Sequence, residues 1–309
     1  MTIIDSIILG IVEGLTEYLP VSSTGHLIIT QYLLGLPDSD AMKAFHICIQ
    51  SGAIIAVLSL YSRRMKQILC GCLEAARNVR RTDATAEERY PVGLRLLVNM
   101  IVAFMPALVL GLLFNDFIKE ALFNAPTVTI SWALGGIIIF LFVRYRKKSG
   151  RGFDGASLEE LNWKGALKIG FMQSIAMCPG VSRSLMTMLG GLFAGLSVAA
   201  AVEFSFLLGL ITLGAATVHD AWKHGGEMLS ELGWQPIIIG TITAWISAIV
   251  AVKWMVSYLN RHSLSIFGTY RLIAALVMLL LIFSGLEFNT QGQTTRPIRT
   301  PEAGAPADN

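Results

Sequence analysis

Six stretches of the chain are long and apolar enough to cross a lipid bilayer, and they constrain the fold more than any other feature. A membrane-spanning helix needs about 20 mostly apolar residues. The qualifying stretches lie at about residues 45–61, 94–114, 127–145, 203–219, 236–256 and 266–286. Only 15% of the 309 residues are charged, against about 25% in a soluble domain. The sequence therefore excludes an ordinary cytosolic enzyme, a disordered chain and a nucleic-acid-binding protein. It predicts an all-α polytopic membrane protein.

Two further apolar regions, residues 6–34 and 166–200, are interrupted near their middles by proline, glycine, serine and a basic side chain. Irregular backbone survives at membrane depth only where it is buried in protein or lines a wet cavity. We therefore predict that each region is a re-entrant helix–loop–helix hairpin. Two full, kinked crossings in each region are the alternative.

Lysine and arginine are concentrated in alternate loops. Fifteen of them lie in loops 62–93, 144–168 and 257–265, whereas loops 35–44, 115–126 and 220–235 hold three. If both broken regions are re-entrant, the three basic loops share one side of the membrane. The positive-inside rule makes that side cytoplasmic, which places both termini outside.

The order of elements repeats within a single membrane domain, residues 1–286. Residues 1–145 and residues 160–286 each supply one broken hairpin and three spans. Three is an odd number of crossings, so the second repeat is inverted relative to the first. Inverted repeats with broken helices place polar sites at their interface near mid-membrane, and we expect the two hairpin tips to meet there. Residues 287–309 are polar and Pro-rich, which predicts a disordered tail.

The first hairpin carries two acids at helical spacing. Glu13 and Glu17 are four residues apart and therefore share one face of a helix. Two carboxylates at membrane depth repel each other and are costly to desolvate. A cation between them would remove both costs, and oxygen ligands favour Mg²⁺ or Ca²⁺ over zinc. The alternative is that they are protonated, or paired with arginine, and serve packing alone.

Hydroxyl groups follow these acids. Pro20 ends the first helix, and Ser22, Ser23 and Thr24 offer hydroxyls and backbone N–H groups before the next helix begins, where anions bind readily. With the acids and His26 they form a candidate nucleophile, acid–base and anion-binding set. Each hydroxyl alone suits a helix cap better than a nucleophile, and His26 alone suits a structural hydrogen bond better than catalysis.

The second hairpin has the same plan, with Pro179 ending a helix and Ser182 and Ser184 preceding the next. Arg183 lies inside this apolar region, where burying a charged guanidinium group costs free energy unless the group is paired. Its planar fork suits phosphate oxygens. The alternative is an ion pair with one of three acids, Glu13, Glu17 or Glu203.

Paired acids, hydroxyls at helix starts, one histidine and one arginine suit phosphoryl transfer, in which a metal and an arginine neutralise negative charge. They also suit a transporter or lipid flippase for an anionic substrate, and the pattern alone does not separate the two. Gln50, Thr187 and Glu203 are further polar groups in apolar runs, to which spacing assigns no chemistry.

Two segments resemble the bacterial undecaprenyl-diphosphate phosphatase family of the bacitracin-resistance type. They are EGLTEYLPVSSTGH at 13–26 and PGVSRS at 179–184, supported by IQSGAI at 49–54 and EFSFLL at 203–208. The resemblance covers about residues 5–286. It implies hydrolysis of undecaprenyl diphosphate to the monophosphate carrier lipid and inorganic phosphate, which recycles the carrier for peptidoglycan synthesis. It also implies use of Mg²⁺ or Ca²⁺, a place in the bacterial inner membrane and a site reached from the outer face.

The resemblance assigns roles to the motif residues. Glu13 and Glu17 would bind the metal or orient the nucleophile, and Ser23 is the nucleophile candidate, with Arg183 and His26 also catalytic. The expected substrate-binding residues are Ser22, Thr24, Ser182, Ser184 and Thr187. Leu185 stands where the family often has glycine. The sequence is compatible with a homodimer and does not specify one.

Overall fold

A computed structural model describes residues 1–37, 39–78, 85–122, 124–150 and 154–283. Its secondary structure is helical, and within these ranges the β-structure is a single isolated bridge between Ala156 and Leu196. The predicted disordered tail, residues 287–309, lies outside the described residues. In chain order the helices are α1 Ile3–Thr16, α2 Ser23–Leu33, α3 Asp40–Leu60, α4 Ser62–Asn78, α5 Ala86–Arg89, α6 Val92–Phe117, α7 Ala125–Lys148, α8 Trp163–Ile175, α9 Arg183–Phe193, α10 Val198–Leu232, α11 Trp234–Leu259 and α12 Ser265–Phe283.

Six of these helices, α3, α6, α7, α10, α11 and α12, are long and apolar enough to cross a membrane. They coincide with the six predicted spans, which confirms an all-α polytopic membrane protein. Their outward faces are rich in exposed large apolar side chains, such as Leu112, Leu141 and Leu280. Large exposed apolar faces of this kind mark contact with a membrane or with another protein.

The two broken regions form two helix pairs, and the partners within each pair pack against each other. Helix α1 has 14 residues, α8 has 13, and α2 and α9 have 11 each. At 1.5 Å per residue even α1 is about 21 Å long, short of the roughly 30 Å of a bilayer core. Each pair therefore suits a re-entrant hairpin better than two full crossings.

Helix α10 is longer than its predicted span, and this corrects the prediction of a loop at 220–235. The helix continues through Leu232 and ends at Gly233, where φ is 73°. Its extension is anchored by Met228, which is buried in a cluster with Phe45 and Leu9. Burial of one apolar side chain thus extends a helix across Gly225 and Gly226, two residues that disfavour helices.

Helices at matching positions of the two halves make matching contacts. Helix α1 packs on α11, and its counterpart α8 packs on α6; α3 packs on α10, and α7 on α12. Glycines allow the close backbone approaches, since a Cβ atom at Gly10 would collide with the carbonyl of Gly240 and one at Gly170 with the carbonyl of Ala103. This pattern suits two repeats, whose inverted orientation stays a prediction.

The described parts of the three basic loops lie at one end of the bundle, called the basic end below. Arg64 of α4 donates hydrogen bonds at 2.6 Å to Glu159 in the 144–168 loop and to Glu203 near the start of α10. Arg146 at the end of α7 shares a cavity wall with His262 of the 257–265 loop. The structure therefore gathers these loops as the charge pattern predicts.

Candidate functional site

The tips of the two hairpins meet through one ion pair. Nη2 of Arg183, the first residue of α9, donates to Oε1 of Glu17 at 3.0 Å, and the side chains are 14% and 5% exposed. Removing one partner from so buried a pair leaves an uncompensated charge. Arg183 also donates through Nη1 to the Ser205 carbonyl at 3.4 Å and lies over the ring of Tyr18. Its partner is thus Glu17, whereas Glu203 pairs with Arg64.

The second oxygen of Glu17 accepts a hydrogen bond from the Ser23 hydroxyl. Glu17 therefore connects Ser23, at the start of α2, with Arg183, at the start of α9. A hydroxyl bonded to a carboxylate that a third group orients is the arrangement of an activated nucleophile and its base.

Glu13 lies one helical turn before Glu17 and is fully buried. Among the described residues no group donates a hydrogen bond to its carboxylate, and the Glu17 carboxyl is close enough to share a hydrogen bond with it when one of the two acids is protonated. Two buried acids this close are costly when both are ionised, so the pair suits a bound cation or a shared proton. The described residues contain no cluster of three or more His, Cys, Asp or Glu side chains. A metal here would therefore take its other ligands from water or substrate.

A cavity of about 180 Å³ opens between the hairpin tips. Its polar walls are Glu17, Ser22, Ser23, Thr24, Gln50, Ser182 and Arg183. Its apolar wall includes Met177 and Leu213. The cavity therefore brings together residues from both hairpins and from the middles of α3 and α10, with an arginine and an acid facing one space.

The loops at the two tips share an unusual backbone turn. Ser22 has φ 72° and ψ 102°, and Ser182 has φ 75° and ψ 113°; each directly precedes a helix. Within the described residues they alone combine a positive φ with a side chain other than hydrogen. Such conformations cost about 1–3 kcal/mol and persist only where the surroundings enforce them. The turn before α9 is held by the Ser182 hydroxyl, which accepts from the Leu185 N–H.

Arg271 of α12 binds both loops at once. It is fully buried, and its guanidinium donates to the carbonyls of Pro20 at 3.3 Å, Gly180 at 2.8 Å and Ser131 at 2.8 Å. The sequence interpretation missed this residue. An arginine inside a predicted span was the available signal, because charges in a membrane are seldom without function.

His26 lies behind the first loop and does not line the cavity. Its Nδ1 contacts the Ser22 carbonyl at 2.6 Å and its Nε2 contacts the Tyr270 hydroxyl at 2.6 Å, with the two rings stacked. Both ring nitrogens are therefore occupied in this arrangement. The catalytic role of His26 stays a prediction.

Ser184 and Thr187 are also buried away from the cavity. Ser184 donates to the Leu19 carbonyl at 2.9 Å and so joins the two hairpins. Thr187 donates to the Arg183 carbonyl at 2.9 Å and shares a hydrogen bond with the Ser205 hydroxyl at 2.6 Å. In this geometry Thr187 holds the backbone of Arg183 and Ser184 joins the two hairpin tips, and their contact with substrate stays a prediction.

Comparison with known proteins shows which family this chain resembles. Residues 6–277 match the family model of the bacitracin resistance protein BacA. The undecaprenyl-diphosphatase of Methylococcus capsulatus is 43% identical over 287 residues, covering 92% of this chain and 96% of the relative. The undecaprenyl-diphosphatase of Aquifex aeolicus is 41% identical over 278 residues, covering 90% and 97%. That of Nitrosomonas europaea is 38% identical over 287 residues, covering 93% and 97%.

Proposed function

The chain belongs to the bacitracin resistance protein BacA family, and on that premise we propose that the cavity between its hairpin tips is where undecaprenyl diphosphate is hydrolysed. The protein is a multi-pass membrane phosphatase that converts this lipid to undecaprenyl phosphate and inorganic phosphate. Transport without hydrolysis is not favoured, because the relatives are named as diphosphatases. The observation that carries the assignment of the site is the contact of Glu17 with both Ser23 and Arg183.

Substrate recognition rests on the polarity of the cavity. The diphosphate enters the space between the tips, where the Arg183 fork and the hydroxyls of Thr24 and Ser182 meet its oxygens. The cavity is small, and the C55 chain remains in the lipid beside the bundle. Arg183 meets the phosphate while it keeps its pairing with Glu17, since its five donors exceed what one carboxylate accepts.

Ser23 is the proposed nucleophile and Glu17 its base. The Ser23 oxygen attacks the terminal phosphorus while its proton passes to Glu17, and the bond from that phosphorus to the bridging oxygen breaks. Undecaprenyl phosphate leaves and a phosphoserine remains. Water then attacks this phosphorus, the phosphorus–Ser23 bond breaks, and the Ser23 oxygen takes its proton back from Glu17. Both protons of the water stay with the phosphate, which departs as H2PO4⁻.

Glu13 and Glu17 are the residues that would hold a divalent cation, Mg²⁺ or Ca²⁺. The orphaned oxygens of Glu13 support this assignment. When bound, the cation neutralises negative charge on the phosphates.

Other residues support the cavity walls. Arg271 fixes both loops through their carbonyls, His26 holds the Ser22 carbonyl, and Ser184 and Thr187 hold the start of α9. Well-supported side chains of this kind keep catalytic groups within the small tolerance that turnover requires.

The cavity is proposed to open toward the outer face of the bacterial inner membrane. Gln50 lies ten residues before Leu60, the basic end of α3, and Leu213 lies 15 residues after Val198, the basic end of α10. At 1.5 Å per residue these distances are about 15 and 22 Å. In a core of roughly 30 Å these distances support a cavity at mid-core or beyond it on the side away from the basic end, and the positive-inside rule makes that side the outer one.

Phosphate release from purified protein tests this function. The detergent-solubilised full chain is given undecaprenyl diphosphate with and without Mg²⁺, Ca²⁺ and a chelator. We expect metal-dependent release that Glu17→Gln abolishes and that Ser59→Ala, a change at an exposed hydroxyl of α3, leaves intact. The proposed function is wrong if wild-type protein releases no phosphate under any of these conditions.

A further inference from the structure

A second cavity lies at the basic end of the bundle. Its volume is about 410 Å³, and it shares no lining residue with the cavity between the hairpin tips. It is bounded by the end of α7, the end of α9, the start of α10 and the turn between α11 and α12. None of the proposed catalytic or positioning residues contributes to it.

The walls of this cavity combine apolar side chains with cations. Phe142, Leu192 and Leu264 supply buried apolar surface, and Arg146, Lys147 and His262 supply basic groups. No Asp or Glu is among the described residues that line it. An occupant that is both apolar and anionic complements such walls.

The position of the cavity along α7 matches the headgroup layer of a bilayer. The apolar part of α7 ends at Val143, and Arg144, Arg146, Lys147 and Lys148 follow within five residues. The apolar wall thus lies at the edge of the hydrocarbon core, and the cations lie at the depth of lipid phosphates. The aliphatic stems of lysine and arginine allow their charges to reach that layer.

One of the cations is held rigidly. Arg146 is buried, and its Nη2 donates to the Asp154 carbonyl at 2.9 Å. Lys147 is exposed, and the imidazole of His262 stacks on Tyr258 with a centroid separation of 4.5 Å. The exposed lysine is able to adjust to an anion, and the fixed Arg146 adds a positive charge beside it.

We propose that this cavity binds one anionic glycerophospholipid from the leaflet at the basic end. The headgroup phosphate contacts Lys147 and His262 beside Arg146, and the start of an acyl chain packs on Phe142, Leu192 and Leu264. The bound lipid joins α7, α9 and the α11–α12 turn at the end of the bundle opposite the catalytic cavity. It therefore stabilises the protein without taking part in hydrolysis.

Native mass spectrometry of the full chain released from detergent tests the proposal. Protein is equilibrated with phosphatidylglycerol, with phosphatidylethanolamine or with inorganic phosphate alone. We expect one retained phosphatidylglycerol, at least fivefold more occupancy than with phosphatidylethanolamine, since each basic group near a lipid surface is worth roughly this factor. Equal retention of the two lipids would overturn the proposal. Retention of inorganic phosphate as strong as that of phosphatidylglycerol would assign the cavity to a free anion instead.

Three substitutions sharpen the comparison. Lys147→Glu should lower phosphatidylglycerol occupancy at least fivefold, whereas Lys148→Glu, an exposed neighbour that does not line the cavity, should not. Val143→Trp fills the cavity and should lower occupancy with no change in charge. Phosphate release by each variant serves as the check on folding, because Lys147 and Val143 lie outside the catalytic cavity. Equal losses in Lys147→Glu and Lys148→Glu would show binding to general surface charge and would refute the site.

Discussion

Gly209 lies directly against the guanidinium group of Arg183. A Cβ atom placed on Gly209 would collide with Nη1 and lie 3.1 Å from both Cζ and Nη2. The absence of a side chain at this point of α10 is therefore what lets the arginine lie between α10 and Glu17.

Gly209→Ala should displace the Arg183 guanidinium and lower kcat at least tenfold while the protein remains folded, because a shift of about 1 Å at a catalytic group can cost 100-fold. Gly214→Ala on the same helix is the matched control, since nothing lies within 4 Å of a Cβ atom there. Phosphate release and thermal unfolding of both variants are the measurements. Equal activity in the two variants would contradict this role for Gly209.

Glu17 and Arg183 should behave as one unit. Glu17→Gln and Arg183→Met should each lower kcat by about 100-fold or more, close to 3 kcal/mol. The double variant should be little worse than either single variant, because each change already leaves its partner without a counter-charge. Initial rates of the wild-type protein, the two single variants and the double variant complete a double-mutant cycle. Fully additive losses would show that the ion pair has no part in turnover.

Ser23 and Ser59 provide a test of the nucleophile. Ser23→Ala removes the hydroxyl bonded to Glu17 and should abolish turnover, whereas Ser59→Ala, at an exposed hydroxyl of α3 that does not line the cavity, should retain activity. Rapid acid quenching followed by peptide mass spectrometry should find phosphate on Ser23 in the wild-type protein. If phosphate release survives in Ser23→Ala, a water molecule attacks directly.

Arg271→Lys should loosen both loops. A lysine keeps the charge but cannot donate to the Pro20, Gly180 and Ser131 carbonyls from one planar group, so we expect a lower melting temperature and a kcat at least tenfold lower. Gly135→Ala should act in the same direction, because its Cβ atom would collide with the Arg271 guanidinium. Arg261→Lys, at an exposed position on the α11–α12 turn, is the control. Unchanged melting and activity in Arg271→Lys would show that the loops hold their shape without this residue.

Much of the fold could be predicted because lipid imposes strict length and polarity rules on the chain. The six spans follow from apolar length alone, and the hairpins follow from proline and serine inside apolar runs. The extension of α10 could not be predicted in this way. It depends on the tertiary burial of Met228, and nothing near that residue in the sequence shows which helix will cover it.

The sequence predicted only part of the site. Helical spacing placed Glu13 and Glu17 on one face, and the cost of a lone arginine predicted a partner for Arg183. The choice among three acids, the position of His26 behind its loop and the need for glycine at 209 depend on how distant helices pack. Arg271 lies 88 residues beyond Arg183 in the chain, and no local pattern connects it with the loops that it holds.

Replacing the Glu13 carboxyl should stabilise the metal-free protein and weaken its metal-dependent activity. This carboxyl is fully buried beside that of Glu17, and no described group donates a hydrogen bond to its ionised form, so ionised Glu13 destabilises the metal-free protein unless a cation is bound. Glu13→Gln keeps the shape and removes the charge. In chelator we expect its melting temperature to rise by about 2–4 °C, which corresponds to roughly 1 kcal/mol in a chain of this size. Added Mg²⁺ or Ca²⁺ should stabilise wild-type protein more than the variant.

Phosphate release by Glu13→Gln should require at least tenfold more metal than the wild type for half-maximal rate, since one of two carboxylate ligands is lost. Thermal melts and metal titrations on the same preparation measure both effects, with Asp40→Asn, an exposed acid at the start of α3, as the matched control. A variant that keeps the wild-type metal dependence would remove Glu13 from the cation site, whatever its melting temperature.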